Sequence, residues 1–360
     1  MKLYRLLLIL GFLLPSCSII GLQQSVTPSP SATPVPVSRV VTTPSSIAVA
    51  TQIAGPDGLT ILMYALSSPP STEPLTFNPI QGTQAQIILN HQAIRDQDPT
   101  LQLDQANKAL QLFGYKIETN PPADITTANT YTVTKDSLSL FQQEIFGFLP
   151  VSVNADQTDF LMVVQASDGG YLVSTKGVQK GGMDLGTGFP PPVFLGNDVL
   201  TASEIYSDTA NGGEGRVVVN LGNSEIFTTA VGLPSPVNAL RGLWSDEANW
   251  VLEVARAKGN SDTFQVIGEI YQNGISYNQK YGYQATFEYQ LLGGKPFFFY
   301  QKHDQIGVSY DGQEIPLGID EIPHYGCCSG AELNPRQYLS LIDFFARKGQ
   351  AWYFVEITTK

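Results

Sequence analysis

Residues 295–317 read KPFFFYQKHDQIGVSYDGQEIPL, and this stretch decides the fold. Aromatic and β-branched residues fill three short runs, which is typical of strands, and polar residues or Asp311-Gly312 stand between the runs. The pattern predicts three short antiparallel strands joined by two tight turns. Weaker versions of it recur along the chain, so the stretch serves as a template for the whole folded part.

The composition of the chain favours a β protein rich in turns. Only 14% of its 360 residues are charged, and it contains 33 glycines and 24 prolines together with many Tyr and Phe residues. The net charge is −12, and no cluster of Lys and Arg is visible, which argues against a nucleic-acid partner. No glycine-rich phosphate loop or other cofactor motif is present, so no cofactor is predicted.

Residues 1–17 are predicted to be a lipoprotein signal peptide. Met1-Lys2 and Arg5 give a positive start, and an apolar run from Leu6 to Leu14 follows it. Leu14-Pro15-Ser16-Cys17 then resembles a bacterial lipobox, in which the cysteine is lipidated and becomes the new N-terminus. The alternative is a plain secretory signal that is cleaved nearby. Either alternative predicts an exported protein, and lipidation of Cys17 predicts a membrane anchor.

A stalk is predicted over residues 18–56, because Ser, Thr, Pro, Val and Ala dominate this stretch and charges are nearly absent. Such a sequence buries too little apolar surface to offset the entropy of ordering it. The folded domain is therefore expected over residues 57–360, held away from a membrane surface.

The order of apolar strand, polar turn and apolar strand repeats along the folded part. The second strand of each repeat is expected to start near residues 159, 198, 249, 295 and 343. This spacing of roughly 40–50 residues is typical of a four-stranded propeller blade. The sequence thus predicts an all-β fold, a β-propeller of about six blades, with five to seven as the range.

Two further elements complete the predicted fold. Apolar residues at helical spacing predict one short helix over Leu103–Phe113, ended by Gly114. Leu59–Leu66 is predicted to pair with the C-terminal strand Trp352–Ile357, which would remove open sheet edges. An alternative architecture makes residues 57–125 a separate small α/β cap.

The turn segments resemble the repeat of TolB-type β-propellers, which carry a Trp-Ser-Pro-Asp-Gly turn before an apolar strand. Trp244-Ser245-Asp246-Glu247 and Val153-Asn154-Ala155-Asp156 match that turn in part and lack its Pro and Gly. The C-terminal third, from Trp250 to Val355, is similar to uncharacterised bacterial lipoproteins with propeller-like repeats. This resemblance implies a fold and transfers no catalytic residue.

The most unusual local feature is the segment that runs from residue 320 to residue 329. It falls between two predicted blades, where propellers carry the loops at the mouth of the central channel. We take the following side chains of this segment as ligand-binding candidates: Asp320, Glu321, His324, Tyr325, Cys327 and Cys328.

The adjacent Cys327 and Cys328 allow two states in an exported protein. They form a vicinal disulfide that rigidifies the turn, or they remain a buried thiol pair. Neighbouring cysteines have poor geometry for one tetrahedral zinc ion, so no metal is assigned to His324 and this pair. No nucleophile elbow is present, and no catalytic residue is assigned.

The function predicted from these features is a lipid-anchored module that binds an extracellular ligand or protein partner without catalysis. The alternative is an extracellular hydrolase acting on a saccharide or peptide, with Asp320 or Glu321 as general acid or base. A surface spacer with no separable ligand is the third possibility.

Overall fold

The computed structural model describes residues 50–53, 55–56, 58–70, 100–120, 130–181, 190–207, 214–232, 239–246, 248–260, 263–323, 334–337 and 340–359. Most of these residues lie in strands, and only two short α-helices occur among them, so the predicted all-β class is confirmed. Ile47–Lys360 form one compact unit, which does not divide into a cap and a second domain. Across the described ranges, no helix has the length and apolar character needed to cross a membrane.

The described strands form five antiparallel sheets, numbered here in chain order. Sheet 1 contains eight strands: β3 (Tyr115–Asn120), β4 (Thr130–Lys135), β5 (Leu138–Ser139), β6 (Ile145–Phe148), β7 (Ser152–Val153), β8 (Phe160–Ala166), β9 (Gly169–Ser174) and β10 (Gly177–Lys180). Sheet 2 contains β11 (Val193–Leu195), β12 (Asp198–Ser207), β13 (Glu214–Leu221) and β14 (Ser224–Gly232). Sheet 3 contains β15 (Leu240–Ser245), β16 (Trp250–Asn260), β17 (Thr263–Gln272) and β18 (Ile275–Ser276).

Sheets 4 and 5 complete the set. Sheet 4 contains β19 (Ala285–Leu292), β20 (Lys295–Lys302), β21 (Gln305–Tyr310) and β22 (Gln313–Ile319). Sheet 5 joins both ends of the folded part and contains β1 (Ala50–Ile53), β2 (Leu59–Leu66), β23 (Arg336–Gln337), β24 (Leu341–Lys348) and β25 (Ala351–Thr359).

The template stretch folds as its sequence predicts. β20, β21 and β22 pair in antiparallel register, and residues 303–304 and 311–312 form the two turns between them. His303, Asp304, Asp311 and Gly312 all have φ between 52° and 77°. Two successive positive φ values define the primed turns that match the twist of a hairpin, and Asp-Gly is among their preferred sequences.

The strand positions in the other repeats also agree with the prediction. The second strands begin at Phe160, Asp198, Trp250, Lys295 and Leu341, within two residues of the predicted starts. The predicted pairing of the N-terminal and C-terminal strands is confirmed, because β2 pairs with β25 from Leu59↔Thr359 to Leu66↔Trp352. β1 pairs with β2 in turn, so regular structure begins inside the 18–56 range predicted to be stalk.

The predicted helix is present as α1 (Thr100–Leu110), followed by one turn of 3-10 helix over Gln111–Phe113. Gly114 ends it in the left-handed conformation and donates its N–H to the carbonyl of Gln111, as expected of a glycine cap. A second helix, α2 (Tyr277–Tyr281), was not predicted. Its five residues are too few to show helical periodicity, and its signal is the Ser276 side chain, which accepts the N–H of Gln279.

The sheets share cores with their neighbours in chain order. Leu200 and Val217 of sheet 2 pack in one apolar cluster with Leu252 and Tyr271 of sheet 3. Further clusters join sheet 3 to sheet 4 and sheet 4 to sheet 5. Sheet 1 meets sheet 2 through hydrogen bonds, since the Phe194 N–H donates to Ser152 Oγ at 3.3 Å. Sheets 2 to 5 are therefore stabilised by apolar burial against their neighbours, and hydrogen bonds connect sheet 1 to sheet 2.

Gly268 on β17 sets how closely sheet 3 approaches sheet 4. A Cβ atom at this position would lie 2.2 Å from the carbonyl oxygen of Thr286 on β19. Nearby, the Ile270 N–H donates to Thr286 Oγ1 at 2.8 Å, and Asn278 Nδ2 donates to the carbonyl of Gly268 at 3.1 Å. Any larger residue must push the two sheets apart and stretch these bonds.

We expect Gly268→Ala to lower the free energy of unfolding by about 2 kcal/mol, the usual cost of overpacking a tight contact. Val266 lies on the same face two residues earlier and is 47% exposed, so Val266→Ala is the matched control and should cost less than about 1 kcal/mol. Urea denaturation of the two variants measures the difference. Equal losses in both would mean that the close approach of the sheets contributes little to stability.

Candidate functional site

A cavity of about 650 Å³ lies between sheets 3 and 4, at the point where the chain leaves β22. Its wall combines apolar side chains with one cation and four carboxyl groups. The charged lining residues are Arg241, Glu253, Glu288, Asp320 and Glu321, and the apolar ones include Ala255, Val266, Ala285, Phe287, Ile306 and Ile322. The wall is mixed, with polar and charged groups as prominent as apolar ones, and the half-open space is large enough for a small molecule.

Glu253 enters the cavity from β16 and is buried, with 7% of its surface exposed. Its carboxylate accepts two backbone hydrogen bonds from sheet 4. The N–H of Glu288 donates to Oε1 at 2.9 Å, and the N–H of Tyr289 donates to Oε2 at 2.8 Å. A side chain of one sheet thus satisfies two main-chain donors of the next.

Those donors are available because β19 bulges at this point. The pairing of β19 with β20 shifts between Phe287 and Gln290, and Glu288 takes a φ of 58°. A positive φ is uncommon outside glycine and is maintained only where the surroundings fix it. Glu253 is the surrounding group that holds the bulge and turns Glu288 toward the cavity lining.

The two carboxyl groups change each other's protonation. Burial and, to a smaller extent, the charge of Glu253 together raise the pKa of Glu288 to about 7, although Arg241 opposes the shift. Burial also raises the pKa of Glu253, against the two backbone N–H donors and Arg241. A carboxyl group that changes charge near neutral pH inside a cavity is a common feature of functional sites.

Asp320 and Glu321, which sequence analysis selected, line the same cavity. Asp320 Oδ2 accepts the N–H of Gly349 at 2.6 Å. Glu321 is paired with Arg347, whose Nε donates to Oε2 at 2.8 Å, and its main chain forms a β-bridge to the same residue. Both predicted acids are therefore already engaged with residues at the turn between β24 and β25.

The remaining predicted ligand residues, His324, Tyr325, Cys327 and Cys328, lie outside the described residues, as does Cys17. The structure does describe the two residues that flank residues 324–333. Asn334 Nδ2 donates to the carbonyl of Pro323 at 2.9 Å, so the two ends of that segment lie next to each other. Ile322, the residue before Pro323, lines the cavity.

Sequence analysis missed Glu253 and Glu288, the two residues that give this cavity its unusual electrostatics. Glu253 could have been recognised from the sequence, because it is the single charged residue in the apolar strand sequence WVLEVA, where a buried charge is unusual. Glu288 carried none, because a bulge in an otherwise regular strand depends on the partner sheet. Within the described part of the chain, no group of three or more His, Cys, Asp and Glu side chains is arranged to hold a metal ion.

Comparisons with known proteins leave the family open. No family model matches the chain, and no curated protein matches it. Among solved structures, the chain is similar to the crystal structure of polysaccharide lyase Uly1, with a TM-score of 0.27 and 7% identity, over 87% of this chain and 77% of the lyase. A likeness this weak carries no weight for fold or function.

Proposed function

We propose that this chain is an exported, lipid-anchored β-propeller that binds a ligand in the cavity between sheets 3 and 4. The cavity is the observation that carries the proposal, because charged and apolar side chains from several elements surround a space large enough for a small molecule. In this proposal Cys17 supplies the membrane anchor, residues upstream of β1 form the spacer, and the partner is an extracellular ligand.

Several features of the sheets support a propeller of about six blades. Sheets 2, 3 and 4 each contain four strands that pair in chain order, which is the order within a propeller blade. Counting β3–β6 and β7–β10 of sheet 1 as separate blades, together with the mixed sheet 5, gives six. In sheet 5, the N-terminal strand β2 pairs with the C-terminal strand β25. Pairing of the two chain ends in one blade would close the ring of a propeller.

Binding is favoured over hydrolysis by the contacts of the predicted acid and base. Asp320 is engaged by the Gly349 N–H and Glu321 by Arg347, so neither carboxyl is poised to exchange a proton with a substrate. The hydrolase alternative predicts turnover of an extracellular saccharide or peptide that is lost in Asp320→Asn or Glu321→Gln. Absence of turnover across a broad substrate panel would leave binding as the function.

A thermal-shift screen of the full-length chain in detergent micelles tests the binding site. The panel contains amines, neutral sugars, cell-wall fragments, peptides and divalent cations. A ligand at about 100 times its dissociation constant should stabilise the protein by roughly 2.7 kcal/mol and raise the unfolding midpoint.

A matched pair of variants locates the ligand. Val266→Trp fills the cavity from an exposed lining position, whereas Ile226→Trp adds the same ring at an exposed position of β14, a strand that contributes no residue to the cavity lining. The midpoint shift should disappear in Val266→Trp and remain in Ile226→Trp. A shift retained in both would place the ligand elsewhere and overturn the proposed site.

A further inference from the structure

The four carboxyl groups of the cavity come from β16, from β19 and from the segment after β22, and they form different contacts. Glu253 is fixed by two backbone donors, and both bonds favour its ionised form. Glu321 is balanced by Arg347, and Asp320 is bonded to the Gly349 N–H. Glu288 is the carboxyl whose charge is opposed by a neighbouring buried carboxylate and by its own burial.

We propose, on the basis of the binding function proposed above, that Glu288 acts as a proton switch for the cavity. When Glu288 is ionised, the cavity holds an additional negative charge and retains a cationic ligand; when it takes up a proton, that charge is lost and the ligand is released. The device combines the Glu253 and Glu288 carboxyls, the bulge that juxtaposes them and the cavity that both of them line.

The proton balance of the switch is simple. Binding of a cation favours ionised Glu288, so a protonated Glu288 transfers its proton to solvent as the cation enters. The charged groups that face this pair are Arg241 from β15 and Asp320 and Glu321 from the segment after β22; the lining residues from β17, β20 and β21 are uncharged. The positive charge of Arg241 favours the ionised state of Glu288 and so lowers its pKa. Removal of Arg241 should therefore raise the pKa of Glu288.

Titration of Glu288 should make the stability of the folded protein depend on pH even when no ligand is present. Because burial raises the pKa of Glu288 above the value for an unfolded chain, the folded state binds the proton more tightly. This contribution to stability is fully present below the unfolded pKa of about 4.5 and is lost as pH rises through about 7. The unfolding midpoint is thus expected to be higher at pH 6 than at pH 8.

The test measures this midpoint between pH 5 and pH 9 for the full-length chain in micelles and for three variants. Glu288→Gln should abolish the part of the pH dependence that is centred near neutral pH. Glu225→Gln, at an exposed position of β14, should leave it unchanged. Arg241→Gln removes an exposed cation and should move the window to higher pH, a response that a merely structural role of Glu288 would not give.

The second measurement is calorimetric titration with cadaverine, a small diamine, at pH 6 and pH 8. Affinity should be about tenfold higher at pH 8, because ionised Glu288 changes from roughly a tenth to nine tenths of the molecules, and proton release should appear as a buffer-dependent heat. Glu288→Gln should lose both effects.

A stability profile that is unchanged in Glu288→Gln overturns the switch, whatever cadaverine does. A profile that changes as expected while cadaverine fails to bind supports the titration of Glu288 and overturns the cationic ligand. The binding function proposed above is decided separately, by the thermal-shift screen and its Val266→Trp variant.

Discussion

Replacing Phe299 with alanine is expected to lower the free energy of unfolding by about 4 kcal/mol, the typical cost of removing a fully buried aromatic ring. Phe299 lies in β20, the first strand of the template stretch, and is completely buried. Its ring packs edge to face against Phe297 and Phe344 at centroid distances of 5.2 Å, and it stacks on Phe287 at 5.3 Å. Phe344 belongs to sheet 5, so the substitution opens a cavity in the core that joins sheets 4 and 5.

Phe146→Ala provides the matched control for this prediction. Phe146 lies on β6 and is 47% exposed, so loss of its ring should cost less than about 1 kcal/mol. Chemical denaturation of both variants measures the difference. A loss below about 2 kcal/mol for Phe299→Ala would show that the core between these two sheets collapses around the missing ring.

The hairpins of this protein were predictable because the signals that define them are local. Asp311-Gly312 and Asn273-Gly274 both adopt the positive φ values that primed turns require, and any short window of sequence reveals them. Apolar runs on both sides of such turns then fix the strands to within two residues. The pairing of β2 with β25 was also accessible, since a sheet that uses both chain ends removes an exposed edge.

The short and irregular elements were not predictable from the same signals. β1 has four residues in a stretch rich in Ser, Thr and Pro, and its pairing with β2 depends on tertiary context. α2 has a single turn, and the only sequence feature that indicates it is Ser276, whose side chain caps its N-terminus. In both cases the neighbouring sheet, not local propensity, supplies the stabilising contacts.

The candidate site was predicted in part. Asp320 and Glu321 were selected because they border an unusual segment, and the structure places both of them on the cavity wall. Glu253 and Glu288 are 35 residues apart and meet only because sheet 3 packs on sheet 4. The bulge that aligns them is a product of that packing, so no periodicity in either strand reveals it.

Asn334→Ala is expected to lower the free energy of unfolding by about 3 kcal/mol, because it removes three buried hydrogen bonds to the backbone. Asn334 has 1% of its surface exposed. Its Nδ2 donates to the carbonyls of Pro323 at 2.9 Å and Phe345 at 3.0 Å, and its Oδ1 accepts the N–H of Phe345 at 2.7 Å. One side chain thereby fastens both ends of residues 324–333 to β24.

Asn197→Ala is the control for this substitution, because Asn197 Nδ2 also donates a side-chain hydrogen bond, to Asp156, but at an exposed position. Water replaces the lost partner there, and the cost should stay below about 1 kcal/mol. Thermal and urea denaturation compare the two variants, and limited proteolysis reports cleavage between residues 323 and 334.

Faster cleavage in Asn334→Ala alone is the expected result, since the substitution removes the hydrogen bond to the carbonyl of Pro323, the residue that precedes His324, Tyr325, Cys327 and Cys328 in the chain. A stable Asn334→Ala protein with unchanged cleavage would mean that other contacts fix this segment. The distinction matters for the proposed cavity, because Ile322 lines its wall one residue before the Pro323 anchor. Loss of the Pro323 anchor would let Ile322 shift and weaken ligand capture without any change to Glu253 or Glu288.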